Sequence, residues 1–532
     1  MGMNVAPNVI DLGEGDRFWG YEFKNFKAKV YVPKSEPITE IVNFGFKAPY
    51  LLVFEETEKT MEEAVNFAKE TGLGDIAKRN GSSVVFVYPI CEGGWEKAPY
   101  ELFPEIVSES KIHQYYKDGM VNFRDRFTGE YKDSFIRGAV FRTYLYGFGK
   151  SADFIAKNYM KKVEGEYLWG PGEITPACLI LENLSVIPNP ERDDIPVISI
   201  GNSEAVNLSL SKKLKYFVAK DKADYVKDFD SFVVKFKRWC GRIQFEPDFE
   251  GLGMVEEACV CEVKTSADNC GDDKGTKTHN IGYLAYYNKD LFDKGPAPLL
   301  LVYHGGGDSC FYITHVSGWW EVARKHNFLL VAIENHLNST ATEMVELIGK
   351  LKEKYNIDEH RIYASGFSMG GCKSWDCFQE YPEVFAGLAP MDATFEVGLN
   401  VFGKPAPVDI NRDIPVPVFY AGGEITPLPE LPFQAEKCWD RMRYVFEVNK
   451  VKKPYDVTFE DQASWSNKIW GIDGDRTERF YDKERDAYLT VQYFDSTDGV
   501  CRTAFGSISG QGHECRRHTC EEAWKFISKF TR

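Results

Sequence analysis

The chain has 532 residues, of which 43% are hydrophobic, 14% aromatic and 27% charged, and its formal charge is −16. That length exceeds one ordinary core and predicts two or more domains, and the composition is that of a globular protein, not a disordered one. The acidity excludes nucleic acid as the main partner, because phosphate binding needs a basic surface and no basic strip interleaved with aromatics offsets the charge.

The opening "MGMNVAPNVIDLGEGDRFWG" has neither a cationic start nor an apolar core, and no apolar run reaches the ~18 residues of a membrane helix, so neither a signal peptide nor a membrane partner is expected. Thirteen scattered cysteines suit free thiols in a reducing compartment, which predicts a cytoplasmic protein. Cys259, Cys261 and Cys270 have no fourth ligand at finger spacing, so no metal and no cofactor are expected.

In chain order the first landmark is the apolar run "APYLLVF" from Ala48, followed by "RTYLYGFGK" from Arg142 and "DIPV" from Asp194. The second half repeats them in the same order: "APLLLVY" from Ala297, "RIYASGFSM" from Arg361 and "DIPV" from Asp413. An offset of 219 separates Arg142 from Arg361 and Asp194 from Asp413, whereas 249 separates Ala48 from Ala297. The first half therefore holds 30 more residues between its first two landmarks, placed around "GGWEKAPYELFPEIVSESKIHQYY". Three ordered matches predict two tandem copies of one α/β domain, residues 1–245 and 246–532.

Within the second copy, "APLLLVYHG" and "NFLLVAIEN" are short apolar runs bounded by turn residues, as in strands buried on both faces. "SGWWEVARKHN" and "TATEMVELIGKLKEKYN" have helical spacing. "RIYASGF" is a strand leading into the helical "GGCKSWDCFQEYPEVF". "VPVFYAGG" is another strand, then an irregular stretch, a hairpin over "YLTVQYFDSTDGVCRTAFGSIS" and a closing helix "TCEEAWKFISKF". Strands alternating with helices predict a mostly parallel sheet with helices on both faces.

"GFSMG", Gly366 to Gly370, is a G-x-S-x-G between a predicted strand and a predicted helix, the setting in which such a serine sits on a strained turn. "HGGG" from His304 follows a buried strand 64 residues earlier, and its glycines let backbone amides approach a tetrahedral intermediate. Gly305 and Gly306, with the N–H of Met369, are the candidate oxyanion donors, and His304 itself reads as structural. With the chain order serine, acid, histidine, only His513 and His518 qualify as base. His513, in "SGQGHE", has flanking glycines that leave its ring free, while His518 reads as a residue capping the last helix. Trp319, Trp320 and Trp375 lie near these motifs in sequence, and core packing is expected for at least two of them.

"HGGG", "GFSMGG" and "GQGH", in that order over roughly residues 245 to 532, resemble the α/β-hydrolase serine esterases grouped with polyhydroxybutyrate depolymerases and feruloyl or acetyl esterases. The resemblance implies attack by Ser368 on an ester carbonyl, proton transfer through His513 and a carboxylate that orients the imidazole. The family places an aspartate just beyond the strand that here reads "VPVFYAGG", but this chain has Thr426 in "GGEITPLPELPFQ". Glu424 and Glu430 are the local carboxylates and stand nearly level as the acid, with Asp461 and Asp473 behind them. The family's tryptophan after the histidine is Glu514 here, so polymer or feruloyl specificity does not carry over.

In the first copy the offsets put Gly149 at the nucleophile position and Glu55, in "EETE", at the position of His304. Its one histidine, His113, precedes the elbow, and the run matching "SISGQGH" is "KYFVAKDKADY". That copy is expected to be catalytically inactive and to stabilise the second or wall its cleft. "GKS" at Gly149 is not a phosphate-binding loop, because Tyr144 stands where the first glycine belongs. The expected function is hydrolysis of a small carboxylic ester, with a serine peptidase or a non-catalytic scaffold as alternatives. Oligomeric state is not legible.

Overall fold

The structure is a computed structural model. It describes residues 9–34, 48–111, 138, 142–161, 175–239, 242–245, 247–271, 273–306, 310, 312–334 and 338–532. His113, Gly307 and part of the extra segment of the first half lie outside them. Two compact units divide the chain, Met1–Asp248 and Phe249–Arg532.

In the first unit, nine strands form one sheet: β1 (Ile10–Gly13), β2 (Asp16–Glu22), β3 (Phe26–Val32), β4 (Tyr50–Phe54), β5 (Val84–Pro89), β6 (Thr143–Phe148), β7 (Cys178–Glu182), β8 (Val197–Ile200) and β9 (Phe217–Lys220). Their spatial order is β1-β2-β3-β5-β4-β6-β7-β8-β9, antiparallel as far as β5 and parallel beyond it. A short ribbon follows, β10 (Phe236–Trp239) with β11 (Arg242–Phe245).

The second unit builds a ten-stranded sheet from β12 (Met254–Lys264), β13 (Thr278–Asn288), β14 (Ala297–Tyr303), β15 (Leu329–Ile333), β16 (Ile357–Phe367), β17 (Gly387–Met391), β18 (Val418–Gly423), β19 (Arg476–Asp482), β20 (Ala487–Asp495) and β21 (Cys501–Ile508). The order is β12-β13-β15-β14-β16-β17-β18-β21-β20-β19. From β15 to β21 every neighbouring pair is parallel, and the flanking strands at both edges are antiparallel. The two sheets thus share one pattern: a strand pair exchanged in position (β5 before β4, β15 before β14), then consecutive parallel strands.

The parallel core forms because its strands are apolar on both faces. Leu299, Leu300, Leu301 and Val302 of β14 and all of β15 are fully buried. Each such side chain contributes about 1.5–3 kcal/mol by leaving water. Helices cover the two faces. Thr340 opens the helix Ala341–Lys354 with a capping box to Glu343, and Met344, Leu347, Ile348 and Leu351 line its buried stripe. Among the described residues no helix is long and apolar enough to cross a membrane.

The sequence reading leaves five elements of this unit unassigned: β12, β13, β17, β19 and the helix Glu436–Val448. Strand β17, "GLAPM", carries glycine and proline in place of β-branched residues, yet lies fully buried between β16 and β18. The helix Glu436–Val448 sits inside the stretch read as irregular.

Candidate active site

Ser368 stands between β16 and the helix Met369–Glu380, at the carboxyl end of a central parallel strand, where open α/β sheets present their functional groups. Its backbone angles are φ 55° and ψ −121°, and its N–H donates to Met391 O at 3.0 Å. A non-glycine residue at positive φ is strained. The strain holds because neighbouring glycines let backbone segments collapse onto the turn. A Cβ on Gly366 would sit 2.0 Å from Gly370 O, and one on Gly370 would sit 2.2 Å from Tyr303 O. Although Ser368 occupies the cap position of the helix, its side chain makes no capping bond. Among the described residues its hydroxyl has no hydrogen-bond partner, so the structure does not join it directly to His513.

The His513 ring lies beside the elbow, packed on Phe367, the residue before Ser368, with ring centroids 4.7 Å apart. The Nδ1 of His513 is paired with Oε1 of Glu430. Glu430 is buried, and its loop is tied down at several points. Tyr420 Oη donates to its carbonyl at 2.6 Å, its N–H donates to Gln434 Oε1 at 2.7 Å, and Thr426 Oγ1 donates to its Oε1 at 3.1 Å. Thr426, standing where the resembling family has an aspartate, therefore braces the glutamate that meets the histidine.

Glu424, in contrast, is half-buried at the end of β18, where its N–H pairs with Ile508 O at 3.1 Å. Asp461 accepts from Thr458 Oγ1 at 2.8 Å, and the Asp473 carbonyl accepts from Lys453 Nζ at 3.0 Å. None of these three carboxylates is paired with His513. His518 lies in the helix Arg517–Ile527. Glu514, next to His513, is paired with Arg485 and with Arg516 at 2.6 Å, and its carbonyl accepts from Gln511 Nε2 at 2.8 Å. The position after the histidine thus holds an ion-pair clamp on its loop.

Burial pulls the His513 imidazole below its ordinary 6.5, with the charge of Asp392 opposing. Burial raises Glu430 as well. Asp392, at the end of β17, was not anticipated from the sequence. It is buried with φ 46°, its Oδ1 accepts from Gly423 N–H at 2.8 Å, and it faces Glu430.

Gly305 and Gly306 follow His304 just beyond β14, and Gly306 meets the elbow: a Cβ there would lie 2.6 Å from Met369 Sδ. The N–H groups of Gly305, Gly306 and Met369 donate to no acceptor among the described residues. His304 is fully buried between the carbonyls of Gly305 at 2.7 Å and Glu334 at 2.5 Å, and burial pushes its imidazole down to about 4 while those carbonyls resist. Trp319 and Trp375 are core residues, whereas Trp320 packs edge-on against Phe249 at 5.3 Å.

The first unit carries the same turn with glycine at its centre. Gly149, between β6 and the helix Lys150–Tyr159, has φ 50° and ψ −116°. Glu55 follows β4 as His304 follows β14, but it is a buried carboxylate paired with Lys29 Nζ at 2.8 Å.

No family model matches the chain. The bifunctional acetylxylan esterase/xylanase XynS20E of Neocallimastix patriciarum is 30% identical over 244 residues, 44% of this chain and 31% of that protein. The chain therefore spans about a third of the length of the curated relative it matches. An acetyl xylan esterase from Aspergillus awamori is 13% identical with a TM-score of 0.32, covering 51% of this chain and 98% of that one. An S-formylglutathione hydrolase from Agrobacterium tumefaciens is 9% identical with a TM-score of 0.33, covering 53% and 97%. The fold of each unit is a largely parallel sheet flanked by helices, consistent with the α/β class expected from the sequence. The cytoplasmic expectation is corrected and not kept: the match to the acetylxylan esterase/xylanase of Neocallimastix patriciarum speaks against it.

Proposed function

We propose that the second unit hydrolyses carboxylic esters through an acyl-enzyme, with Ser368 as nucleophile, His513 as general base and Glu430 as the orienting acid. The observation that carries this reading is the buried Glu430–His513 pair set beside the Ser368 turn through Phe367. Glu430 accepts the Nδ1–H and leaves Nε2 to take the serine proton as Oγ attacks the carbonyl carbon. The oxyanion then receives N–H groups of Met369, Gly305 and Gly306, each worth roughly 10²–10³ in rate. Collapse returns the proton to the departing alcohol, and water repeats the sequence on the acyl-enzyme. The lack of a bond from Ser368 Oγ in the free enzyme fits a catalytic hydrogen bond that tightens with substrate.

The fungal relative's name supports acetyl esters of plant polysaccharide as the substrate class. Residues 1–245 are read as a degenerate copy of the same domain, a reading supported by the shared strand pattern and the Gly149 turn. A panel of acetyl, butyryl and feruloyl esters beside peptide anilides tests the proposal. Ester turnover that vanishes in Ser368→Ala supports it, and anilide turnover without ester turnover contradicts it.

A further inference from the structure

Behind Glu430 lies a second carboxyl group with no role in the triad as described. Asp392 caps β17 in a left-handed conformation and is only 3% exposed. Its backbone N–H joins Ala421 O at 2.8 Å, and its Oδ1 accepts from Gly423 N–H at 2.8 Å, so both of its polar ends grip β18. Gly423 is also where the histidine loop rests: a Cβ there would lie 2.4 Å from the carbonyls of both Gln511 and Gly512. The groups facing Asp392 are Glu430, His513, Tyr420 and Cys515. Among the described residues no lysine or arginine is hydrogen-bonded or ion-paired to Asp392 or Glu430.

Two buried carboxylates side by side without a cation cannot both ionise at modest cost. Hydrogen-bond donors decide which one keeps the proton. Among the described residues, Glu430 Oε1 receives two, from His513 Nδ1 and Thr426 Oγ1, whereas the Asp392 carboxyl receives the Gly423 N–H. The remaining oxygen of Glu430, Oε2, is buried and takes no hydrogen bond from any nitrogen or hydroxyl donor among the described residues.

Resting on the proposed triad, we infer that Asp392 is a positioning residue that stays protonated at neutral pH and donates its carboxyl hydrogen to Glu430. In that state it satisfies the orphaned acceptor, keeps Glu430 anionic and aimed at His513, and anchors the strand end beneath the histidine loop. Burial and the neighbouring Glu430 both drive the Asp392 carboxyl upward, in keeping with this assignment.

The test compares Asp392→Ala and Asp392→Asn in the full chain with p-nitrophenyl acetate. The alanine variant is expected to lose about 10- to 100-fold in kcat with little change in KM, the range for one buried hydrogen bond to a charged group. Asparagine, able to donate from its amide and accept from Gly423, recovers most of that loss. Independently of how either variant turns over, the infrared difference spectrum of wild type minus Asp392→Asn should show the loss of one protonated-carboxyl stretching component at neutral pH, with that of the buried Glu380 present in both proteins. Full activity in the alanine variant, no rescue by asparagine, or no such loss in the difference spectrum overturns the inference. Fluorophosphonate labelling of Ser368 separates this from the underlying reading: an unlabelled wild-type Ser368 overturns the serine mechanism itself, whereas labelling together with a failed asparagine rescue overturns only the role of Asp392.

Discussion

Gly149 and Ser368 hold the same backbone turn, φ 50° and ψ −116° in one and φ 55° and ψ −121° in the other. A turn that strains any side chain persists in the first unit without a side chain to use it. Glycine adopts that conformation without strain, whereas a serine there is held against its preference by its surroundings.

A serine placed at Gly149 is not expected to bring activity to the first unit. In Gly149→Ser the new Cβ meets Glu56 Oε1 at 2.0 Å, and no histidine stands among the described residues of that unit. The variant is expected to lose roughly 1–3 kcal/mol of stability by thermal unfolding, from the crowding and the positive φ. Fluorophosphonate labelling stays at one site per chain; a second labelled serine contradicts this.

The two local glutamates separate sharply in their pairing. Glu430→Gln removes the acceptor of His513 Nδ1 and is expected to lower kcat by about 10²–10⁴, the scale seen when a triad acid is neutralised. Glu424→Gln, changed at a half-buried strand end, stays within roughly threefold of wild type. Steady-state kinetics on both variants check the assignment, and equal losses contradict it.

Activity against pH carries the sign of the His513 shift. The base works only when unprotonated, so kcat/KM falls as pH drops through its pKa. Burial places that pKa below 6.5, which predicts a flat profile at neutrality and an acid limb on the low side of 6.5. A limb centred above 7 contradicts the burial argument.

The elbow depends on backbone contact, not only on the serine. Gly370→Ala drives a methyl to 2.2 Å from Tyr303 O, which cannot move without shifting β14. A loss of about 1–3 kcal/mol or more in chemical denaturation is expected, with activity falling alongside it. Wild-type stability in this variant is inconsistent with the packing described.

Much of the fold was legible because parallel strands buried on both faces read as unbroken apolar runs, as in "APLLLVY" and "NFLLVAIEN". The strand "GLAPM" escaped because its burial comes from neighbours, not from its own propensity. The helix Glu436–Val448 was obscured by the proline-rich stretch before it. At the site, motif spacing pointed to Ser368 and His513, since each sits on a local turn signature. The choice between Glu424 and Glu430 was not local. It depends on a loop folded back by Thr426, Tyr420 and Gln434. Asp392 left no signal, because its significance arises only where β17 and β18 end together.

The central claim, a nucleophilic hydroxyl at Ser368 served by His513, is tested most directly by mass-spectrometric mapping of a fluorophosphonate adduct in wild type, Ser368→Ala and His513→Ala. The account predicts one adduct on the peptide holding Ser368, abolished in the first variant and slowed by several orders of magnitude in the second. Adduct formation elsewhere, or ester turnover undiminished in Ser368→Ala, contradicts it.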